Sequence, residues 1–459
     1  MEQIKYACTL PVKYDVDVFV AGGGPTGMAA GVTAARQGAR VFLAEGQGCF
    51  GGMGTAAGLP MFCEPTDGVH VTTAGFGTEV YERLIAAGGT APETRGKPLG
   101  SYLFSFNCET LKRVYDALAL ASGMQFSFYT QFLDVVAGDG VVTHAICSGK
   151  SGLFVVRARL FVDATGDGDL CARAGSSFEK GDARGEMQPP TLLSLWGDID
   201  WEKANRSDCG VWQQEKHLPR AFQGKVFTVE DRHLPGMIPI GPHAAWGNIG
   251  HLFGTDGTDE VSLTRALLRG RQLLLEYERF YREYLSGYEQ MQLLGTGALL
   301  GVRETRRITG DYVLNLADFK RRAVFPDEIG RFSYPVDLHA TRPDRETFAA
   351  FEKEFAELRY QLGENYGIPY RCLTPAGLDN VLVAGRCISC DRHIQGSLRV
   401  MPGCFITGQA AGMAAALAVE KGGTTRQVSV PELQARLAKM GAFLPNLRKA
   451  ADRHSLCPR

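Results

Sequence analysis

The segment from Val16 to Glu45, VDVFVAGGGPTGMAAGVTAARQGARVFLAE, limits what this chain can fold into more than any other stretch. Val16, Val18, Phe19 and Val20 make a short apolar run of the kind that forms a buried strand. Gly22, Gly24 and Gly27 follow as G-x-G-x-x-G, with Pro25 and Thr26 inside the turn. Residues 26–37 are alanine-rich and read as a helix, Gly38 stops it, and Arg40 to Ala44 read as a second strand that ends at Glu45. Each glycine has a physical task in such a unit. Gly22 allows the tight turn, Gly24 lets backbone approach a pyrophosphate, and Gly27 lets the helix pack on the strand. The helix N-terminus offers free N–H groups and the positive end of its dipole to phosphate. Glu45, eighteen residues past Gly27, is placed to accept hydrogen bonds from a ribose diol. Strand, turn, helix, strand and terminal acid together predict a dinucleotide site.

The chain has 459 residues, enough for two or three domains. Its 49 basic residues against 50 acidic ones leave a formal charge of −1, so nothing electrostatic favours nucleic acid or an anionic membrane. A small-molecule substrate is the expected partner. An electron donor or acceptor and a homo-oligomer are left open. The N-terminal residues contain no continuous apolar run of the signal-peptide kind, and the twelve cysteines are scattered, so free thiols in a cytoplasmic setting are expected. The longest uncharged stretch, Val400 to Val419, is interrupted by Pro402, Gly403, Gly408 and Gly412. It reads as a buried helix rather than a membrane span.

Residues 46–59 contain six glycines and must form a loop that wraps something closely. Apolar periodicity predicts helices over 75–88 and 108–122, with a surface loop over 89–101. Apolar or alternating runs at 126–136, 141–148 and 153–163 are separated by glycine-rich turns at 138–140 and 149–152, which are hairpin signals. Residues 380–384 read as another buried strand, 404–420 as a small-residue helix, and 430–459 as an amphipathic helix with a frayed end. Between 185 and 370 the composition shifts toward Trp, His, Pro and Arg. The expected fold is α/β. A Rossmann-like nucleotide domain is split into 1–60, 101–184 and 371–425, with an inserted α+β substrate or cap domain at 185–370. Residues 61–100 form a helical and loop excursion, and 426–459 a C-terminal helical tail.

Three segments, DVFVAGGGPTGMAAGVTAARQGARVFLAE, LFVDATGDGDLCARAG and NVLVAGRCISCDRHIQGSLRVMPGCFITGQAAGMAAALA, together with LLGVRETRRITGDYVL, carry a resemblance. The sequence resembles the FAD-dependent oxidoreductase family of the two-dinucleotide-binding-domain flavoproteins, with the FAD fold of fumarate and glutathione reductases. The resemblance implies FAD rather than NAD, with the isoalloxazine between the nucleotide domain and the cap. It implies cofactor contacts from Gly51, Gly52 and Met53, from the backbone of Phe132 beside the adenine, and from Ala164, Thr165, Gly166 and Asp169. Gly385, Arg386, Val400 and Gly403 belong to the same set. A helix expected to start near Phe405 would place its N-terminus where reduced flavin carries negative charge. Many relatives follow the last strand with Gly and an acid that binds the ribityl chain. Here Gly385 is followed by Arg386, and Asp391 is the candidate substitute.

The chemistry-bearing residues outside these segments leave alternatives open. Cys387 and Cys390 form a C-x-x-C that either exchanges electrons with flavin or packs beside it. No second such pair exists, and no metal is expected. Arg303, Arg306 and Arg307 lie within five residues. Two of their guanidiniums can converge on a carboxylate or phosphate, Arg303 or Arg307 can act on the substrate, or all can form ion pairs. Of nine histidines, His251, His339 and His393 are candidate acids or bases. The expected function is hydride transfer between a small polar organic substrate and flavin N5, in either direction. The alternatives are a thiol–disulfide or electron-transfer flavoprotein using Cys387 and Cys390, and a non-catalytic flavin-binding subunit.

Overall fold

Five strands lie parallel in the order Val381–Val383, Leu160–Asp163, Val18–Ala21, Val41–Ala44 and Gln125–Ser127. This is a computed structural model and describes residues 4–5, 7–90 and 104–447. Successive side chains of a strand point to opposite faces, and here both faces are covered. Val18, Val20, Leu43, Val162 and Leu382 join the core under the helices. Phe19, Phe42, Phe161, Val381 and Val383 join a second core under a four-stranded sheet. That sheet runs in the order Val12–Asp15, Gly152–Arg157, Val141–Gly149 and Gln131–Gly138. Burial on both sides explains why the parallel strands read as continuous apolar runs.

The two expected hairpins form at 138–141 and 149–152. Two of the expected β runs are each broken in two. Gln125–Ser127 belongs to the parallel sheet and Gln131–Gly138 to the meander, with Tyr129 at φ 51 in the turn between. Likewise Gly152–Arg157 and Leu160–Asp163 sit in different sheets. Apolar periodicity reports a strand but not the sheet it joins.

Helices form at Phe76–Ala86 and Cys108–Ser122, as the periodicity predicts. The Asn107 side chain accepts from the Glu109 and Thr110 amides at the start of the second, and Gly123, at φ 76, ends it. A helix at Val430–Lys439 opens the expected tail. Residues 91–103, which take in most of the loop expected at 89–101, and 448–459, the end of the expected tail, lie outside the described residues.

The small-residue helix starts at Met401, three residues earlier than expected, and runs to Lys421. Pro402 occupies its second position, where a missing N–H removes no helix bond. The helix is long and apolar enough to cross a membrane, but nearly all of it is buried within the fold. It lies on the first helix, Pro25–Arg36, almost backbone to backbone. A Cβ on Gly408 would sit 2.4 Å from the Thr26 carbonyl oxygen, and one on Gly412 2.2 Å from that of Ala30.

Residues 192–302 have their own core. An antiparallel sheet of Gly236–Gly241, Ala244–Asn248, Ser194–Gly197 and Gln292–Thr296 packs with the 25-residue helix Glu260–Tyr284 around Trp196, Tyr277, Phe280, Tyr281 and Tyr288. Leu314, Phe319, Ile329, Phe332, Tyr366 and Ile368 instead share the core of the nucleotide-domain helices.

The glycine contacts yield a paired prediction. A Cβ on Gly27 would lie 1.8 Å from the Gly22 carbonyl oxygen, whereas one on Gly24 would meet nothing within 4 Å. Gly27→Ala is expected to destabilise the fold by roughly 3 kcal/mol or more, and Gly24→Ala by no more than about 1 kcal/mol. Urea unfolding of both variants measures the difference; equal losses would contradict it.

Candidate active site

The carboxyl ends of the parallel strands open onto a cavity of about 1200 Å³. Gly22, Gly24, Pro25 and Thr26 form one rim. Gly22 turns the chain at φ 92, and the space in front of Gly24 is open. The first helix has Pro25 at its first position and no acidic residue in its first turn, so its leading amides stay available to an anion. Glu45 is buried on the same rim, and its carboxylate accepts the Gly23 and Gln47 amides at 2.7 Å each. Burial pushes its pKa up against the pull of those hydrogen bonds.

Gly52, Met53 and Phe132 extend this wall. Ala164, Thr165, Gly166 and Asp169 line the same cavity. Their turn is built on the fully buried Asp163, which accepts from the Thr165 hydroxyl at 2.7 Å and the Cys171 amide at 2.9 Å. Arg386 lines the cavity and staples this turn. Its Nε donates to the Gly166 carbonyl at 2.8 Å, Nη2 to Asp167 at 2.6 Å, and Nη1 to the Val302 carbonyl. Val400, Met401 and Cys404 bring the start of the second glycine-rich helix, also without an acid in its first turn, to the same space.

Gly27, Gly51, Gly385 and Gly403 do not line the cavity but stand behind its wall. The Gly51 amide donates to the Gly23 carbonyl at 2.8 Å. A Cβ on Gly385 would meet the Thr26 hydroxyl at 2.2 Å, and one on Gly403 the Leu398 carbonyl at 2.5 Å. Asp391 does not serve as a ribityl acid. It caps the helix Arg392–Leu398 through the Ile394 amide and accepts the Leu316 amide at 2.7 Å. An open space before Gly24, framed by two helix N-termini free of acids, fits a pyrophosphate-containing cofactor.

The far end of the cavity carries charge. Arg303 is buried and donates through Nη1 to the Pro189 carbonyl at 2.7 Å and the Thr191 hydroxyl at 2.9 Å, and through Nη2 to Asn248 at 3.2 Å. All three acceptors are neutral. Burial and then the nearby Arg399 lower its pKa to about 9, which keeps it cationic at neutral pH. Arg399 donates to the backbone and carboxylate oxygens of Asp337 at 3.0 and 3.2 Å, while its Nε is buried without a partner among the described residues.

His339 and His233 face the same space. Burial, then the charge of Arg303, holds His339 well below its ordinary pKa, despite Asp337 at 3.5 Å from its Nε2. His233 is pushed down to about 4, by burial first and then by His251. Burial would raise the Asp337 carboxyl, but His339 and Arg399 outweigh it and hold it well below the usual carboxylate range. Both rings on the cavity are therefore neutral bases at pH 7.

Other expected residues lie elsewhere. Arg307 does not converge with Arg303; its guanidinium is tied to buried Glu304 at 2.6 Å and to the Gly181 carbonyl at 3.1 Å. Arg306 pairs with Asp169 at 2.7 Å. Only Arg306–Ile308 of this segment is a strand, so Arg303 lies outside it. His393 does not line the cavity but bonds Glu354 at 2.7 Å. His251 sits one residue behind the wall, 2.8 Å from His339. Cys387 and Cys390 lie in different hydrophobic cores, one on each side of the sheet, and burial pushes both thiols up. His233, Asp231 and Arg399 were not singled out by the sequence. Arg399 alone had a signal, its place inside the third FAD-associated segment.

A split parallel sheet whose glycine turn borders a cavity this large defines an α/β enzyme that binds a dinucleotide. The chain belongs to the FAD-dependent oxidoreductase family, whose model matches residues 17–437. It is thus an enzyme with FAD as its cofactor, and the expected α/β class with a Rossmann-like FAD domain holds. No curated protein matches the chain. Among solved structures, p-nitrophenol 4-monooxygenase PnpA from Pseudomonas putida DLL-E4 is 10% identical, covering 96% of this chain and 93% of that one, with a TM-score of 0.48. The myxobacterial chondrochloren halogenase CndH is 12% identical over 92% of this chain and 78% of that one, with a TM-score of 0.45. A geranylgeranyl bacteriochlorophyll reductase-like protein from Thermoplasma acidophilum is 14% identical over 93% and 83%, with a TM-score of 0.42.

Two outcomes follow from the site. Gly24→Val should fold yet lose FAD, read as the loss of visible flavin absorbance from purified protein; retention of FAD would place the pyrophosphate elsewhere. His233 has a folded pKa near 4 against an unfolded value near 6.5. Below pH 6.5 the unfolded chain therefore binds the extra proton, and stability must fall as pH drops from 6.5 toward 4. His233→Gln should make that decline in Tm shallower; an unchanged slope would show that the ring is not held neutral.

Proposed function

We propose that this enzyme oxidises a small, polar, anionic organic substrate, passing a hydride to the flavin and a proton to histidine. The observation that carries this reading is the joint placement of Arg303, Arg399 and two neutral histidines on the wall of the cavity that borders the glycine turn. Bound FAD supplies a two-electron hydride acceptor. Everything else falls to the chain. Arg303 and Arg399 neutralise and orient the anion, because a buried guanidinium without a full complement of anionic partners gains most from one. His339 accepts the proton at Nε2, and Asp337 beside it stabilises the resulting imidazolium. The segment 185–370, proposed as the substrate-bearing part, supplies Arg303 and both histidines, while Arg399 comes from the FAD-associated block. The buried and separated Cys387 and Cys390 support packing roles for both.

Anaerobic mixing with a panel of small substrates, matched in shape and differing in charge, tests the reading. Anionic members should bleach the flavin and neutral ones should not. Arg303→Ala should raise KM at least tenfold, about 1.4 kcal/mol, with FAD content unchanged. Arg303→Lys should recover little of it, since a point charge cannot replace the guanidinium fork. Cys390→Ala should keep turnover within a few-fold of wild type. Full activity of Arg303→Ala, or a hundredfold loss in Cys390→Ala, would overturn the reading.

A further inference from the structure

A row of hydrogen-bonded side chains crosses the wall between the large cavity and a second one. His339 and Asp337 face the large cavity. His251 and Asp231 face a separate space of about 320 Å³ beside the helix Glu260–Tyr284, whose rim includes exposed Gly254 and Arg265. Between the two, His339 Nδ1 lies 2.8 Å from His251 Nε2, and His251 Nδ1 lies 3.1 Å from Asp231 Oδ1. The side chains of His251, His339 and Asp231 are only 2%, 6% and 7% exposed, so their partners are each other rather than bulk water.

Acceptor chemistry sets the direction of every hydrogen bond in the row. Asp231 accepts the backbone amides of His251 at 2.8 Å and His233 at 3.2 Å, as an ionised carboxylate does. The His251 nitrogen facing it, Nδ1, therefore carries a proton. A neutral His251 then presents a lone pair at Nε2, and His339 must donate its Nδ1–H to it. That leaves a lone pair on His339 Nε2, at the large cavity, beside Asp337 Oδ1 at 3.5 Å. This separation suits an acceptor next to a carboxylate and is too long for a hydrogen bond.

We propose that His339, His251 and Asp231 form a proton relay from the substrate in the large cavity to solvent in the small one. The relay rests on the oxidative reading given under the proposed function. The substrate O–H bond breaks and its proton bonds His339 Nε2. The Nδ1–H of His339 breaks, and its proton bonds His251 Nε2. The Nδ1–H of His251 breaks in turn, and its proton bonds Asp231 Oδ1. Asp231 then releases one proton to water in the second cavity. The relay moves one proton and no electrons, and both rings end with the proton on Nε2 until they reorient. Burial alone would raise the Asp231 carboxyl, but His251 and the hydrogen bonds outweigh it, so Asp231 does not retain the proton. The charged or titratable neighbours include His233, stacked on His251 at 5.7 Å, Glu215 at 3.7 Å from His233, Tyr277 beside Asp231, and Arg303, Asp337 and Arg399. His251 and Asp231 touch no substrate in this scheme and act through His339.

The test begins on the unmodified FAD-loaded protein with 15N-labelled histidine, where two-bond couplings report which ring nitrogen is protonated. His339 and His251, assigned by their Gln variants, should both carry the proton on Nδ1. The His339 Nδ1–H should exchange with solvent at least tenfold more slowly in Asp231→Asn. In turnover, His251→Ala should lose at least tenfold in kcat with KM and FAD content within twofold, and millimolar imidazole should restore most of it, which a merely structural loss would not allow. Protons on Nε2 of both rings in the resting protein, exchange unchanged by Asp231→Asn, or loss without rescue would each overturn the relay. If His251→Ala does not fold, the protonation pattern of the unmodified protein still decides. If the pattern and exchange hold but no anionic substrate bleaches the flavin, the proton path from His339 to Asp231 stands and the oxidative reading that feeds it fails.

Discussion

Backbone-to-backbone contact around the first helix is the constraint on which the rest of the structure depends. Gly27 sets that helix against the turn before it, and Gly408 and Gly412 let a second helix lie directly on Thr26 and Ala30. Residues about 380 positions apart in sequence are thereby locked side by side. Both helix N-termini reach the rim of one cavity, and both lack acids in the first turn. Two positive dipole ends then converge where a dinucleotide phosphate and a reduced flavin would place negative charge. A side chain on Gly408 or Gly412 would push the helices apart and separate the two ends, and one on Gly27 would push the first helix off its turn.

The second organising element is a cluster of buried charge that the fold neutralises only in part. Arg386, Arg306 and Arg307 all find acidic partners at 2.6–2.7 Å. Arg303 has only neutral acceptors, and Arg399 has one carboxylate, Asp337 at 3.2 Å, which it shares with His339. Charges buried without a full set of partners are costly to the folded state, so their retention at the cavity wall points to a ligand that completes them. Burial, and then the charge of Arg303, keep His339 neutral, with a ring lone pair free to accept a proton.

Much of the nucleotide-binding half was legible in the sequence because its signals are local. The turn glycines, the strand periodicity and the helix Cys108–Ser122 each declare themselves within a dozen residues. Glu45 was legible for the same reason. What failed was information held in three dimensions. The run 126–136 could not show that its two halves enter different sheets. The charge cluster 303–307 could not show that Arg307 turns to Glu304 while Arg303 turns to the cavity. His393 sits in an FAD-associated segment yet bonds Glu354, because it lies at the half-exposed start of a helix whose remaining residues are buried. His251 and His339 were visible as individual histidines, but their hydrogen bond spans 88 positions, and His233 and Asp231 had no pattern to mark them.

Anion recognition beside the flavin is the central claim, and ligand titration of the FAD-loaded protein measures it most directly. Small carboxylates and their neutral amides would be added to the resting protein while the visible flavin spectrum is followed. The expected result is a saturable spectral shift with the carboxylates and none with the amides. Equal shifts with both, or none with either, would contradict a cationic substrate pocket at Arg303 and Arg399.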